Sequence, residues 1–296
     1  MCGLLTFVGL PETASGPDGV ARREWIACAL ESIHHRGPDE TAVEVVADNV
    51  ILADKRLSII DIAGSHLPMR YAGGRYLLSY NGEIYNYVEL RDRLVRECGA
   101  RFETDGDAEV ILAGYHHWGE AVLDRLRGMF AFVIVDTARG TVFGARDRFG
   151  IKPMYYLSTS EGLYLASEKK ALLPFTADVR VSPAALSHYL TLQYVPEPGT
   201  MHQAIDRIGA GECFNYRPGG QIRRRRYYQP SFHPVRRAAP RSVYARIRDA
   251  LRDSVRIHMR SDVPVGAFLS SGIDSTAVVA LAREVNPRIQ TFTVGY

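Results

Sequence analysis

The chain begins MCGLLTF (residues 1–7), and this stretch places a thiol directly behind the initiator methionine. Its apolar and β-prone residues predict a first strand. If Met1 is removed, Cys2 carries a free α-amine beside its thiol. An α-amine has a pKa of about 7.7–8.0 and a thiol one of about 8.5, so the amine can accept the thiol proton near neutral pH. One residue would then supply both nucleophile and base, as in N-terminal-nucleophile catalysis.

Length and composition are those of an ordinary globular protein. The 296 residues are enough for about two domains of roughly 150 residues each. No apolar run reaches the roughly 18 residues that a membrane span needs, and the N-terminus lacks the pattern of a secretory signal. We therefore expect a cytoplasmic protein with no membrane partner.

The four cysteines and the paired histidines do not predict a metal site. The cysteines are far apart and form no CxxC pair, which argues against a disulfide scaffold and a zinc ribbon. We interpret Cys28 and Cys98 as buried small hydrophobic residues. The adjacent pairs His34-His35 and His116-His117 do not face one way on a helix or strand, so we interpret both as structural.

The net charge of +3 is too small to indicate a nucleic-acid partner. One basic run, Arg223–Arg226, could bind phosphate, but no recognition motif accompanies it. We interpret it as a solvated linker or a domain-contact surface.

Hydrophobic patterns predict two domains. Residues 2–215 contain many short strands and few helices, which favours stacked antiparallel sheets with helices outside them. Residues 216–241, rich in arginine and proline, are interpreted as a linker. Residues 242–296 predict a helix with Ser242 as its N-cap, then a strand, a polar loop, a helix and a strand. A single βαβ unit cannot complete a parallel sheet, so this second domain is expected to be incomplete.

Several polar residues suit an amino-acid site in the first domain. Asn81-Gly82 is interpreted as a turn that exposes a side-chain amide and a backbone N–H, two donors that could bind an oxyanion. Arg56 can bind a carboxylate in bidentate fashion. Glu83 and Asp107 can bind an ammonium group. Each of these residues alone would be interpreted as an ordinary turn or surface charge, and Cys2 is what makes the set informative.

The stretch AFLSSGIDST (residues 267–276) predicts a strand, a loop of small residues and a helix start. Exposed N–H groups at such a helix start bind phosphate. The loop is not a Walker A motif, because the Gly-Lys-Ser/Thr element is missing.

Eight segments together resemble a known family: MCGLLTF, HHRGPDE, RLSIIDIAG, NGEIYNY, DAEVI, GMFAF, RDRFGIKPMYY and ASEKKAL. They are similar, in matching order, to the glutaminase domain of class II glutamine amidotransferases, and within it to the glutamine-hydrolysing asparagine synthetases. The resemblance implies an α+β fold, a four-layer αββα N-terminal-nucleophile hydrolase domain, followed by the start of an α/β ATP-pyrophosphatase domain. It also implies that Met1 is removed.

The resemblance assigns roles in the first domain. Cys2 would attack the side-chain amide of glutamine, and Asn81 and Gly82 would form the oxyanion hole. Glutamine would be bound by a larger set: Arg56, Leu57, Ser58, Ile59, Ile60, Asn81, Gly82, Glu83 and Asp107.

The resemblance also assigns the C-terminal loop to ATP. The residues implied are Leu269, Ser270, Ser271, Gly272, Asp274, Ser275 and Val294, with Asp274 and Ser275 near the pyrophosphate and its Mg²⁺. Ser271 stands where the family pattern has a glycine. If that position needs a left-handed backbone, serine adds about 1–2 kcal/mol of strain.

Three functional interpretations stay open at this point. The family reaction converts ATP, aspartate and glutamine into asparagine, glutamate, AMP and pyrophosphate, with aspartate bound by residues beyond 296. A second interpretation changes the acceptor to another carboxylate of specialised metabolism. A third is a truncated, non-catalytic module. Homodimers occur in the family, although nothing in the sequence marks a self-complementary surface.

Overall fold

The computed structural model describes residues 2–10, 16–47, 49–234 and 239–295. These fold into two units, one formed by Met1–Ser58 and Ala63–Gln229, the other by Ile59–Ile62 and Pro230–Tyr296. Met1 and residues 235–238 lie outside the described residues, and with them the prediction that Met1 is removed and part of the predicted linker.

The first unit contains two six-stranded antiparallel sheets. In the first sheet the strand order is β10-β8-β9-β1-β3-β2, and in the second it is β12-β11-β7-β6-β5-β4. The strands are β1 (Gly3–Gly9), β2 (Glu40–Ala47), β3 (Val50–Arg56), β4 (Met69–Tyr71), β5 (Tyr76–Ile84), β6 (Gly128–Asp136), β7 (Thr141–Arg146), β8 (Tyr155–Ser158), β9 (Gly162–Ala166), β10 (Ile205–Arg207), β11 (Glu212–Tyr216) and β12 (Arg223–Arg226).

Helices cover the outer faces of the two sheets. The α-helices of this unit are α1 (Gly16–Glu31), α2 (Tyr87–Cys98), α3 (Ala108–Trp118) and α4 (Pro183–Leu192). Short 3₁₀ turns follow at His34–Arg36, Gly119–Asp124, Lys169–Ala171 and Leu173–Phe175. The expected stack of antiparallel sheets with helices outside is confirmed.

Side-chain alternation along β1 separates the layers. Leu4 and Val8 belong to the core between the two sheets, where they join residues of β5 and β6. Leu5 and Phe7 point the other way and pack with Leu30 of α1. Cys2 directly precedes β1 and packs against the core under α2 and α3.

The second sheet shows the same division. Leu77 of β5 faces the inter-sheet core, whereas Leu78, Tyr80 and Ile84 pack with the core under α2 and α3. By alternation Asn81 and Glu83 extend the inner face that Leu77 begins. The inner face of β5 therefore carries polar residues at the end of the sandwich where Cys2 precedes β1.

The second unit contains α5 (Pro240–His258), β13 (Gly266–Phe268), α6 (Ile273–Val285) and β14 (Gln290–Phe292). β13 and β14 pair in parallel, which confirms the βαβ expectation. The prediction that Ser242 is the N-cap residue is wrong, because α5 begins at Pro240 with Ala239 as N-cap residue. Proline suits the first helical turn, since it has no N–H to leave unpaired there.

Two local expectations differ from the structure. The segment predicted as a linker from residue 216 begins inside the second sheet, because β12 pairs with β11 and extends the first unit to Gln229. Cys28 is exposed, not buried, since it lies on the outer side of α1.

One carboxyl group lies inside the inter-sheet layer. Asp54 of β3 is 1% exposed, and its Oδ1 accepts from Ser79 Oγ at 2.7 Å and from the Tyr80 N–H at 3.3 Å. Its Oδ2 has no hydrogen-bond partner among the described residues. Burial raises the pKa of Asp54 to about 7, although the two hydrogen bonds favour the ionised form.

This buried carboxyl predicts a pH-dependent stability. Between about pH 4 and pH 7 the folded chain keeps a proton on Asp54 that the unfolded chain releases, so the free energy of unfolding falls as pH rises through this window. Asp54→Asn removes the dependence. We expect it to raise the free energy of unfolding at pH 8 by roughly 2–4 kcal/mol and much less at pH 5, measured by urea denaturation.

Asp136→Asn is the matched control, and it should change the free energy of unfolding in the opposite direction. Burial acts to raise the pKa of Asp136, but hydrogen bonds from Arg75 and from backbone N–H groups lower it overall. This variant should lose stability at pH 8, and the loss should shrink as pH falls toward 3. Equal effects of Asp54→Asn at pH 5 and pH 8 would contradict the assignment.

Candidate active site

The Cys2 thiol lies at the start of β1 against the loop that follows β3. Its Sγ accepts from the Leu57 N–H at 3.4 Å and lies 3.7 Å from the Leu57 carbonyl oxygen. The residue is half-buried. Burial raises the pKa of the thiol, and the Leu57 N–H opposes that rise. The thiol therefore needs further help to ionise near neutral pH.

The Arg36 guanidinium joins the thiol residue to the second sheet. Its Nε donates to the Cys2 carbonyl at 3.0 Å, and its Nη1 donates to Glu168 Oε1 at 3.0 Å. The Asn81 amide is oriented with Nδ2 donating to the Cys2 carbonyl at 3.0 Å and Oδ1 accepting from Arg36 Nη2 at 3.2 Å. This orientation is assigned because it alone matches donors with acceptors.

The Gly82 N–H points to an open edge of β5. The residues two positions before and after it, Tyr80 and Ile84, have N–H groups that point away from β6. The Tyr80 N–H donates to Asp54, and the Ile84 N–H donates to Asp107 Oδ2 at 2.7 Å. Strand geometry makes the Gly82 N–H point the same way. On this edge, the pairing of β5 with β4 ends at Leu78 among the described residues. The Gly82 N–H therefore lies beyond the part of β5 that pairs with β4.

The prediction of a turn at Asn81-Gly82 is wrong. Both residues lie inside β5, which pairs with β6 as far as Ile84 opposite Gly128. A glycine is needed at position 82 because a Cβ there would lie 2.3 Å from the Met129 carbonyl oxygen. The two donors are exposed by the end of β4, not by a turn.

Glu83 and Asp107 form an acidic pair beside this edge. Asp107 is 6% exposed, precedes α3, and accepts from the Tyr80 hydroxyl at 2.8 Å as well as from Ile84. Burial raises the pKa of both carboxyls, and Asp107 also repels the ionised form of Glu83. Ionised Glu83 is favoured by Lys152, a residue that the sequence did not single out.

Arg56 and Ser58 are bonded to acidic residues at the start of β2. Arg56 is 4% exposed, and its Nη1 forms an ion pair with Glu40. The Ser58 N–H donates to Asp39 Oδ2 at 2.8 Å. Ile59 and Ile60 belong to the segment that groups with the second unit. The structure thus brings Cys2, Leu57, Asn81, Gly82, Glu83 and Asp107 close to one another.

The C-terminal loop closes on itself before α6. Ser275 Oγ accepts from the Ser270 N–H at 3.2 Å and donates to the Gly272 carbonyl at 3.0 Å. Ser270 Oγ accepts from the Gly272 N–H at 3.2 Å. Asp274 lies in the first turn of α6, with Gly272 as the N-cap residue.

Two further observations concern the predicted ATP residues. Ser271 does not adopt a left-handed backbone, because the described non-glycine residues with positive φ are Asp61, Ala72 and Gln193. The strain considered for Ser271 is therefore absent. Leu269 and Val294 follow β13 and β14, and the carboxyl ends of parallel strands lie at one edge of a sheet, where nucleotides bind in α/β folds.

Sequence reasoning did not identify Arg36, although it lies in the quoted segment HHRGPDE. Its role depends on contacts with Cys2, Asn81 and Glu168, which are distant in the sequence. An arginine next to a glycine and a proline carries no signal of such contacts. Tyr80, which donates to Asp107, was missed for the same reason.

Two kinds of feature were not found among the described residues. No group of three or more His, Cys, Asp or Glu side chains within them is placed to hold a metal ion. None of their helices has the length and apolar character needed to cross a bilayer.

Comparison with family models matches most of the chain. The model described as "Glutamine amidotransferase domain" matches residues 1–228, and the model described as "Asparagine synthase" matches residues 246–296. Among solved structures, glutamine phosphoribosylpyrophosphate amidotransferase from Bacillus subtilis aligns with 99% of this chain and 65% of its own, at a TM-score of 0.53 and 16% identity. The likeness supports the N-terminal-nucleophile hydrolase fold.

Curated relatives give the same result. A Mycobacterium tuberculosis protein (strain H37Rv), provisionally named a glutamine-hydrolysing asparagine synthetase, is 50% identical over all of this chain and 48% of its own length. Asparagine synthetase 1 of Bacillus subtilis (strain 168) is 42% identical over all of this chain and 46% of its own. Asparagine synthetase B of Escherichia coli (strain K12) is 36% identical over 86% of this chain and 41% of its own. This chain thus spans about half the length of these relatives, and it belongs to the glutamine amidotransferase domain family.

Proposed function

We propose that this chain hydrolyses the side-chain amide of glutamine, with Cys2 as nucleophile, as the ammonia-producing half of a glutamine-dependent asparagine synthetase. The proposal rests on one observation above all: two hydrogen-bond donors, Asn81 Nδ2 and the Gly82 N–H, lie on β5 where that strand passes the Cys2 residue. One Asn81 Nδ2 hydrogen is used by the Cys2 carbonyl, and the amide carries a second.

The chemistry follows from these positions. The Cys2 thiol loses its proton to the Cys2 α-amine, freed by removal of Met1, and the sulfur attacks the amide carbon of glutamine. The oxyanion that forms accepts from Asn81 and Gly82. The C–N bond breaks, the departing nitrogen takes the proton and leaves as ammonia, and a γ-glutamyl thioester remains. Water then attacks the thioester, releases glutamate and restores the thiol.

The amino-acid end of glutamine is assigned to charged groups beside these donors. Glu83 and Asp107 bind the α-ammonium group, because both carboxylates lie next to the open edge of β5. Arg56 is assigned to the α-carboxylate by the family resemblance, with backbone contacts from Leu57 and Ser58, and it would exchange its Glu40 partner for the ligand. The repulsion between Glu83 and Asp107 favours a cationic ligand between them.

The second unit is assigned to ATP. Backbone groups near Leu269 and Val294 would contact the adenosine part, and the loop Ser270–Ser275, with Ser271 and Gly272, would contact the pyrophosphate. Asp274 is a single carboxylate, so Mg²⁺ would take most of its ligands from phosphate oxygens and water. Aspartate is the proposed acceptor because the relatives are named asparagine synthetases. A cytoplasmic location and a homodimer remain predictions.

Cys2→Ala tests the nucleophile. Removing the sulfur removes the covalent route, so glutamate release from glutamine should fall by about a thousandfold or more, with the chain still folded. The assay is enzymatic detection of glutamate, with circular dichroism to confirm folding. Cys28→Ala is the matched control, because Cys28 is exposed on α1, and it should keep full activity. Undiminished activity in Cys2→Ala would refute the proposal.

Asn81→Ala tests the oxyanion hole. Losing one preorganised donor should lower kcat by roughly 10²–10³ and change KM much less, since the bond strengthens only as the oxyanion forms. Asn215→Ala is the control, because Asn215 is exposed and donates to Glu120 on the far part of the unit. A change confined to KM would show that Asn81 binds glutamine without stabilising the oxyanion.

A further inference from the structure

The segment RDRFGIKPMYY (residues 146–156) forms a loop wrapped around a buried carboxylate. Asp147 is fully buried, and its Oδ1 accepts from the N–H groups of Phe149 at 3.1 Å and Ile151 at 2.9 Å. Its Oδ2 accepts from the N–H groups of Lys152 at 2.9 Å and Phe130 at 3.3 Å. Four donors on one carboxylate fix the backbone of this loop.

The same carboxylate ties the loop to the candidate active site. Phe130 of β6, which donates to Asp147, lies opposite Gly82 in the pairing of β5 with β6. The Asp147 N–H also donates to the Phe130 carbonyl at 2.8 Å. A displacement of the loop would therefore be transmitted to the strand that carries the oxyanion donors.

A second buried group holds the other side of Lys152. Arg146 is 4% exposed, and its Nε donates to the Lys152 carbonyl at 2.6 Å. Its two Nη atoms donate to the carbonyls of Gly150 and Ile208 and to Glu197. Both backbone polar groups of Lys152 are thus bonded to buried charged side chains, so its Cα has one defined position.

The Lys152 side chain is buried and interacts with charged groups of the candidate site. It is 2% exposed, and its ammonium interacts electrostatically with Glu83, Cys2 and Arg36. Burying an ammonium is costly unless anions surround it, and here burial lowers the pKa of Lys152 while Glu83 opposes that fall. The charge that compensates this cost belongs to the proposed glutamine site.

Arg36, the other cation of this cluster, has different partners. Its guanidinium donates to the Cys2 carbonyl, to Asn81 and to Glu168. Several titratable groups contribute to the electrostatics of Cys2, Glu83 and Lys152: Arg36, Asp54, Tyr80, Tyr85, Asp107 and Asp147. Apart from Arg36 these groups are acids, and the N-terminal amine of the chain is a further cation that acts on Cys2 and Glu83. A cation beside Glu83 therefore has a large effect on the balance of charge.

We propose that Lys152 is a positioning residue of this site: its ammonium keeps Glu83 in the anionic form that binds the α-ammonium of glutamine and favours the thiolate form of Cys2. The inference rests on the proposed glutaminase function and adds a residue to it. Lys152 acts through Glu83 and Cys2 and forms no bond with the substrate in this account.

Lys152→Met tests the proposal, because methionine fills a similar volume without the charge. The first readout is the rate of Cys2 alkylation by iodoacetamide across pH, followed by mass spectrometry of the N-terminal peptide. The rate at pH 7 should fall about three- to tenfold, and the profile should move to higher pH. The second is the KM for glutamine, which should rise about tenfold at pH 6 and less at pH 8, since Glu83 is then protonated more readily.

Lys55→Met is the matched control. Lys55 is also buried, 1% exposed, but its ammonium pairs with Glu31 and Thr41 on the α1 side of the first sheet. Its loss should leave both the alkylation profile of Cys2 and the pH dependence of KM unchanged. Lys152→Arg, which keeps the charge, should restore part of both readouts. If Lys152→Met does not unfold cooperatively, and so is not properly folded, Lys152→Gln replaces it and is measured by the same two readouts.

The outcomes separate this inference from the proposed function. A wild-type chain that hydrolyses glutamine and a Lys152→Met variant with unchanged alkylation and unchanged KM would overturn the role of Lys152 alone. A wild-type chain without glutaminase activity would overturn the proposed function and this inference with it. A change in thermal stability without a change in either pH profile would show that Lys152 is only structural.

Discussion

The candidate site depends on one guanidinium that bridges two sheets. Arg36 holds the Cys2 carbonyl from the first sheet and the Asn81 amide from the second, and Glu168 fixes its third side. Hydrogen bonds between ionised and neutral groups are stronger than neutral pairs and keep their geometry when buried. With this bridge in place, the thiol residue and the amide donor have a defined separation. Without it, the bond from Asn81 Nδ2 to the Cys2 carbonyl and the bonds from Ser79 and Tyr80 to Asp54 would still join the sheets, but the Asn81 amide would lose the donor that fixes its orientation.

Strand alternation determines which groups face this bridge. Asn81 has the parity of Leu77, on the inner face of β5, and Cys2 directly precedes β1 and packs against the core under α2 and α3. The short strand β4 then leaves the end of β5 with an unpaired edge. Asp54 and Asp107 accept from the flanking N–H groups on that edge, and the Gly82 donor lies between them. The end of β4 thus leaves backbone N–H donors of β5 available beyond Leu78.

Much of the fold could be predicted, because its signals are local. The apolar, β-prone residues of β1 and the order of helix, strand, loop, helix and strand in residues 242–296 could be identified from the sequence. Site residues with distinctive chemistry, such as Cys2 and Asp107, could be chosen from the sequence as well. Arg36 and Lys152 could not, because their roles arise from contacts between distant segments. The prediction of a turn at Asn81-Gly82 was wrong, because the residue pair is typical of turns but here pairs with β6 inside a strand.

Affinity labelling is the most direct test of the claim that the Cys2 thiol reacts beside a glutamine-binding site. A diazoketone analogue of glutamine, which alkylates a nucleophile held at the position of the amide, would be incubated with the chain and mapped by peptide mass spectrometry. We expect one label per chain, on Cys2, and we expect glutamine to protect Cys2 from labelling. Labelling spread over Cys28, Cys98 and Cys213, or labelling of Cys2 that glutamine does not prevent, would contradict it.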